Sequence, residues 1–393
     1  MNKAIQKFML RGTLLFVIVF SPLLIQLFFP MDYFNYRAWE ALRFDRLGSE
    51  KPFYTNRHLE KVEEGDLAYR TPYAVKKKVI WQTDKYGFRN YPSDDDQYDV
   101  VLIGDSNMVG SGVSQENTLA SVLSRKTNLR VYSYASNNVN SNINKVLAEE
   151  RFRKHPQKVI IVESIERHIQ DLPAFEENFT SKRSVVRLSL FEKPIEKLDS
   201  LLKMSSIRYG VAIAKEKIKP RSIIVNPDTK MVFYKLALDN QQFNIKYFDR
   251  SVKNLIEYDN VLNRKGIKFI FLPIPDKETI YYSDIPEEYG MFRKESPFLE
   301  NFIRVLEQNN VTVINTLENF KRNKQKGLFF LDDTHWNEKA VNMTADLIVK
   351  EIEVMAVNDF RSDALLVDQW VWTQFKQHSP YTEPLAAVSN QPN

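Results

Sequence analysis

The 393-residue chain contains no cysteine. Structural disulfides, thiolate metal sites and a lipid anchor built on cysteine are therefore excluded. Histidine is scarce as well: His58, His155, His168, His335 and His378 are five residues scattered along the chain. That scatter argues against a metal centre, and no H-E-x-x-H pair occurs. A P-loop is missing, as is a glycine-rich dinucleotide fingerprint behind an apolar run, so no cofactor is expected. There is no internal repeat and no sustained low-complexity tract. The remaining composition, 43% hydrophobic and 27% charged with a net charge of +5, is that of a globular protein.

One long apolar run stands apart from the rest. Gly12 to Pro30, GTLLFVIVFSPLLIQLFFP, carries no charge, and Gln26 is its one strongly polar residue. About 20 apolar residues cross the hydrocarbon core of a bilayer. Lys3, Lys7 and Arg11 precede the run, which places residues 1–11 in the cytoplasm and the chain after Pro30 outside. No A-x-A-like cleavage site follows; the run ends in aromatics suited to a membrane interface. Residues 12–30 are expected to be an uncleaved single-pass anchor, and 31–83 a neck between membrane and domain.

From Asp99 onward the pattern becomes regular. DVVLIG, NLRVYSYA, KVIIVES, GIKFIFLPIP and NVTVINT are short apolar runs separated by amphipathic stretches such as NTLASVLSRK, SNINKVLAEERFRK, SVKNLIEYDNVLNRKG and SPFLENFIRVLEQNN. Continuous apolar strands alternating with helices predict an α/β sandwich around a parallel sheet. The alternation is interrupted between about 172 and 247. Within it, Lys182 to Arg221 holds eleven Lys or Arg against four Asp or Glu, a local excess of seven. Two readings stand: a solvated helical insertion, or a surface for an anionic polymer, acidic headgroups or a membrane partner. No nucleic-acid module is recognisable, so nucleic acid is not an expected partner. Residues 356–393 read as a C-terminal tail.

Chemistry concentrates at two strand-to-helix junctions. Open α/β sheets place their sites at the carboxyl ends of the strands. Ser106, in VLIGDSNMVGSG, follows the first apolar run in a tight turn, where free backbone N–H groups can hold an oxyanion. A serine there can equally cap a helix. A partner is available in His335, which again sits between an apolar run and a helix, in GLFFLDDTHWNEKAV. Asp332 and Asp333 lie three and two residues before it. Either carboxylate can orient the imidazole and leave its other nitrogen for the serine.

Gly104-Asp105-Ser106 near the start of the domain, with an Asp/His pair before the final helix, resembles the SGNH (GDSL-like) hydrolase superfamily. DTHW (Asp333 to Trp336), LPIPDKETIYYSDIP (Leu272 to Pro286) and DKYGFRN (Asp84 to Asn90) are similar to its alginate O-acetyltransferase-like branch, the AlgJ/AlgX type. The resemblance implies an SGNH-like three-layer sandwich over residues 84–355. It implies a Ser106, His335 and Asp333 triad, with Asp332 as the alternative because D-x-x-H is the commoner spacing. In the glycine block Asn138 occupies the matching position, and Arg167 stands where the third block usually has asparagine. Both are candidates for holding the oxyanion or substrate. The implied activity is O-acetyl transfer to a hydroxyl of an extracellular polysaccharide, by an inner-membrane, periplasm-facing protein. A multipass membrane O-acyltransferase is the implied acyl donor. An esterase using the same residues, or a silent polysaccharide-binding or assembly protein, are the alternative readings.

Overall fold

In the computed structural model the described residues are 3–26, 37–44, 51–136, 143–177, 223–239 and 245–362, with isolated positions between these runs. Helix α1 (Lys3–Gln26) is exposed from Lys3 to Phe20, and its segment Lys3–Ser21 is long and apolar enough to cross a membrane. It starts nine residues before the expected span at Gly12. Lys3, Lys7 and Arg11 recur every fourth residue on a helical surface, and no proline or glycine before Gly12 interrupts it.

The central sheet is parallel, in the order β4-β3-β5-β8. Its strands are β3 (Val100–Gly104), β4 (Val131–Ala135), β5 (Val159–Ile165) and β8 (Lys268–Ile274). Every residue of β3 and β5 is buried, as a sheet covered on both faces requires. The helix Ile245–Arg264 packs on β8 and on the helix Phe298–Gln308, while Glu338–Ser362 packs on Leu119–Thr127. This is the expected α/β sandwich. The fifth apolar run is reduced to a single bridge, Phe271 to Val313. Phe271 exchanges both backbone bonds with that edge, to Thr312 and Ile314. The next residue facing the same way is Pro273, which has no N–H to donate, so the ladder stops.

The expected neck at 31–83 does not behave as one. After the short helix α2 (Ala38–Leu42), the chain forms an antiparallel hairpin of β1 (His58–Glu63) and β2 (Lys77–Gln82). Ala38, Leu42, Phe53, Tyr54, Val79 and Trp81 belong to the same hydrophobic core as β3 and β5. Residue 84 therefore marks no edge of packing. Large aromatic side chains in this stretch are buried because they cover the sheet, which spacing along the chain does not reveal.

The expected insertion at 172–247 is likewise part of the domain at its C-terminal end. β6 (Ile223–Val225) and β7 (Val232–Tyr234) form a hairpin whose Ile224 and Phe233 enter the main core. The strongly basic stretch Lys182–Arg221 lies almost wholly outside the described residues, as do Asn138 and residues 363–393 of the expected tail, whose first residues, 356–362, instead continue the helix Glu338–Ser362.

Candidate active site

Ser106 opens a four-residue helix, α3 (Ser106–Val109), directly behind β3. The turn is held by Asp105, whose side chain accepts the Asn107 N–H at 2.8 Å. Asp105 in turn donates its own N–H to Glu163 Oε2 on the neighbouring β5 at 2.9 Å. Burial, followed by the charge of Asp105, pushes the Glu163 carboxyl well above the usual range. Gly104 allows this close approach, since a Cβ there would run into Glu163 Oε2. Among the described residues the Ser106 N–H has no backbone partner, as the first amide of a helix should not.

His335 is supplied by a loop closed at its base. Phe329 bridges Trp336, and the Phe330 N–H donates to the His335 carbonyl at 3.2 Å. Trp336 is fully buried and donates its indole N–H to the Asn107 carbonyl at 3.2 Å, which ties this loop to α3. His335 Nε2 lies 2.8 Å from Ser106 Oγ, and Nδ1 lies 2.6 Å from Asp333 Oδ1. The structure thus brings Ser106, His335 and Asp333 into one hydrogen-bonded chain.

Asp332 points elsewhere. Its carboxylate accepts the N–H groups of Gly65 and Val75, each at 2.7 Å, and its carbonyl accepts those of Leu67 and Ala68. It fastens the β1–β2 connection to the histidine loop. The second oxygen of Asp333 meets two cations, Arg37 and, at 3.2 Å, Lys77. Burial alone would raise the Asp333 carboxyl; Arg37, Lys77 and His335 outweigh it and hold the group well below the usual carboxylate range. Asp66 stands behind the pair, bonded to the N–H and Oγ1 of Thr334 and 3.7 Å from His335 Nδ1. Burial and then the charge of Asp333 raise it. Asp66, Asp333 and His335 place three metal-type ligand atoms within 4.8 Å of one another. The donor set suits a metal poorly: Nδ1 already faces Asp333, and that carboxylate is neutralised by two fixed cations.

Arg167 is placed beside the site rather than in the hydrogen-bonded chain. Its partner is Asp276. The adjacent Glu166 accepts the Asp276 N–H at 3.1 Å and the Thr279 hydroxyl at 2.6 Å, and is pushed up to about 8 by burial and by Asp276. Together the two residues grip the turn after β8.

Sequence reasoning missed four residues. Arg37, Asp66 and Lys77 carry no local signal, because they lie 256 or more positions before the residues of the histidine loop they bond to. Lys277 was visible, as a lysine three residues after the apolar end of β8. It is fully buried, and its ammonium donates to the carbonyls of Val232, Phe330, Leu331 and Asp333 at 2.7–3.0 Å. Burial pulls it down to about 8. Lys277→Met should leave these carbonyls short of a donor and cost about 3 kcal/mol of stability in a denaturant titration. A loss under about 1 kcal/mol would show that the ammonium is not what shapes the loop.

Residues 232–382, which include Lys277, Asp333 and His335 but not Ser106, match the family described as SGNH hydrolase-like domain, acetyltransferase AlgX. The expected likeness to SGNH hydrolases of the AlgX type is thus found. The match supports an enzyme of acyl transfer or acyl-ester hydrolysis. No curated protein matches the chain. Among solved structures, a putative lipolytic protein of the G-D-S-L family from Desulfitobacterium hafniense DCB-2 is 12% identical with a TM-score of 0.30, over 64% of this chain and 97% of that one. An acetyl xylan esterase, Est2A, from the rumen bacterium Butyrivibrio proteoclasticus is also 12% identical with a TM-score of 0.30, over 72% of this chain and 71% of that one. Both likenesses are too distant to bear on function.

Proposed function

We propose that the chain is a membrane-anchored O-acyltransferase that moves an acyl group, acetyl above all, onto a hydroxyl of a polysaccharide outside the cytoplasm. The hydrogen-bonded chain Ser106–His335–Asp333 carries this reading. His335 Nε2 takes the proton of Ser106 Oγ as that oxygen bonds to the donor's carbonyl carbon. The Ser106 N–H, with help from the Asn138 region, stabilises the tetrahedral oxyanion. Collapse expels the donor's leaving group, which takes the proton from His335, and leaves an ester on Ser106. A sugar hydroxyl then gives its proton to His335 and attacks that ester. Ser106 leaves as the alcohol, reprotonated by His335. Asp333 stays ionised throughout and steadies the imidazolium. Arg167, paired with Asp276, is assigned in this reading to meet an anionic group of the acceptor.

The donor in this reading is a multipass membrane O-acyltransferase partner, and α1 keeps the site near it. The test follows a labelled acetyl group in membranes containing the full-length protein, the partner and the polymer. Label appearing on the polymer supports transfer; label released as free acetate, with none on the polymer, makes the protein an esterase. Removing residues 1–30 should leave hydrolysis of small acyl esters intact and lower polymer acylation in cells several-fold, by loss of effective concentration. Unchanged cellular acylation would show that tethering is dispensable.

A further inference from the structure

The Asp333 carboxylate is surrounded by charge from four parts of the chain. Arg37 and Lys77 come from the segment before the sheet, and Asp66 from the β1–β2 connection. His335 comes from its own loop, and Lys277 reaches its carbonyl from behind β8. Of the two cations on the carboxylate, Lys77 is 15% exposed in its side chain and also lies over the Phe330 ring at 3.5 Å. Arg37 is entirely buried. Its guanidinium spans two acids, Asp333 on the histidine loop and Glu63 at the end of β1, the latter at 3.9 Å. Glu63 also accepts the Ala38 N–H at 2.5 Å, so the start of α2 and the guanidinium are held by one carboxylate. Arg37 Nη1 also lies close to the serine loop: at Gly112, with φ of +84°, an added Cβ would be 3.4 Å from it and 3.0 Å from Lys77 Nζ.

Arg37 therefore sits where the serine loop, the histidine loop and the segment following α1 meet. We infer that Arg37 is a positioning residue for the proposed reaction: it holds the Asp333 carboxylate turned toward His335, so the site is complete only while the segment after α1 is docked in the core. A carboxylate this deeply buried needs a fixed opposite charge, and a planar guanidinium can face two carboxylates at once where an ammonium cannot. Just eleven residues, 27–37, lead from Gln26, the last of α1, up to and including Arg37. Fully extended, they reach at most about 40 Å. Whatever holds α1 thus also constrains a residue in contact with the proposed triad.

The inference rests on the acyl-transfer reading, and its test keeps the two separable. Full-length Arg37→Lys and Arg37→Met/Glu63→Gln proteins are compared with wild type and with Ser106→Ala in hydrolysis of nitrophenyl acetate. Glu63→Gln removes the second buried charge while leaving an amide oxygen for the Ala38 N–H, which protects the fold. Arg37→Lys keeps the charge but loses the fork; kcat should fall about tenfold with KM and the pH profile unchanged. In the double variant kcat should fall about a hundredfold at constant KM. Its acid limb should also move up by about one pH unit, because losing the cation favours protonation of the His335–Asp333 pair. A role in folding alone would not move that limb. Melting curves establish that each variant is folded at the assay temperature. Wild-type kcat in Arg37→Lys overturns the inference on its own, should the double variant not fold. So does a wild-type acid limb in a folded double variant. Activity persisting in Ser106→Ala would instead remove the proposed reaction.

Discussion

Ser106→Ala is expected to lower acyl transfer and ester hydrolysis by about 10⁶-fold, the scale of losing a nucleophile that works as a unit with its base. The substitution removes a single partly exposed hydroxyl at the start of α3. The cap from Asp105 to Asn107 and the bond from the Asp105 N–H to Glu163 do not involve it. The melting temperature should therefore stay within a few degrees of wild type, and alanine suits a first helical turn. What remains is His335 Nε2 without its donor, plus the backbone N–H of residue 106. Acyl-enzyme should no longer accumulate when the protein is mixed with a slow ester and examined by mass spectrometry. An acylated Ser106→Ala protein, or one that turns over within tenfold of wild type, would refute Ser106 as the nucleophile.

Exchanging the two adjacent aspartates one at a time should have opposite consequences. Asp333→Asn should lower kcat by about 10⁴-fold, because an amide cannot hold the imidazole in the productive tautomer or balance its charge. It also leaves Arg37 and Lys77 facing a neutral group, so a fall in stability should accompany it. Asp332→Asn should leave kcat near wild type at temperatures where the protein is folded. Its cost lies in the bonds from Gly65 and Val75, about 1–3 kcal/mol of stability. Kinetics and denaturant titrations on the same two variants check both halves. A large kcat loss in folded Asp332→Asn, with Asp333→Asn nearly normal, would reverse the assignment.

Much of the fold is legible along the chain because its signals are local. The β3 run, the glycine behind it and the amphipathic helices between strands are short-range patterns, and burial on both faces is what makes β3 and β5 read as unbroken apolar runs. Ser106 and His335 stand out for the same reason: each occupies a strand-to-helix junction, and histidine is rare here. The segment 31–83 was not legible. Its aromatics resemble an interfacial belt or a neck until Phe53, Tyr54 and Trp81 are seen covering the sheet. Nor does any spacing announce that Pro273 ends the edge ladder before a fifth full strand can form.

The sequence by itself determined that a parallel sheet would place a serine and a histidine at the ends of its strands, and that an apolar helix would precede it. Only the tertiary structure decided which aspartate faces the imidazole. Asp332 and Asp333 are neighbours with the same chemistry, and no local rule separates them. One is turned aside by the backbone amides of Gly65 and Val75, the other drawn inward by Arg37 and Lys77. These partners lie more than 250 residues earlier, and electrostatic forces at a few ångströms act on distance in space, which the order of residues does not record.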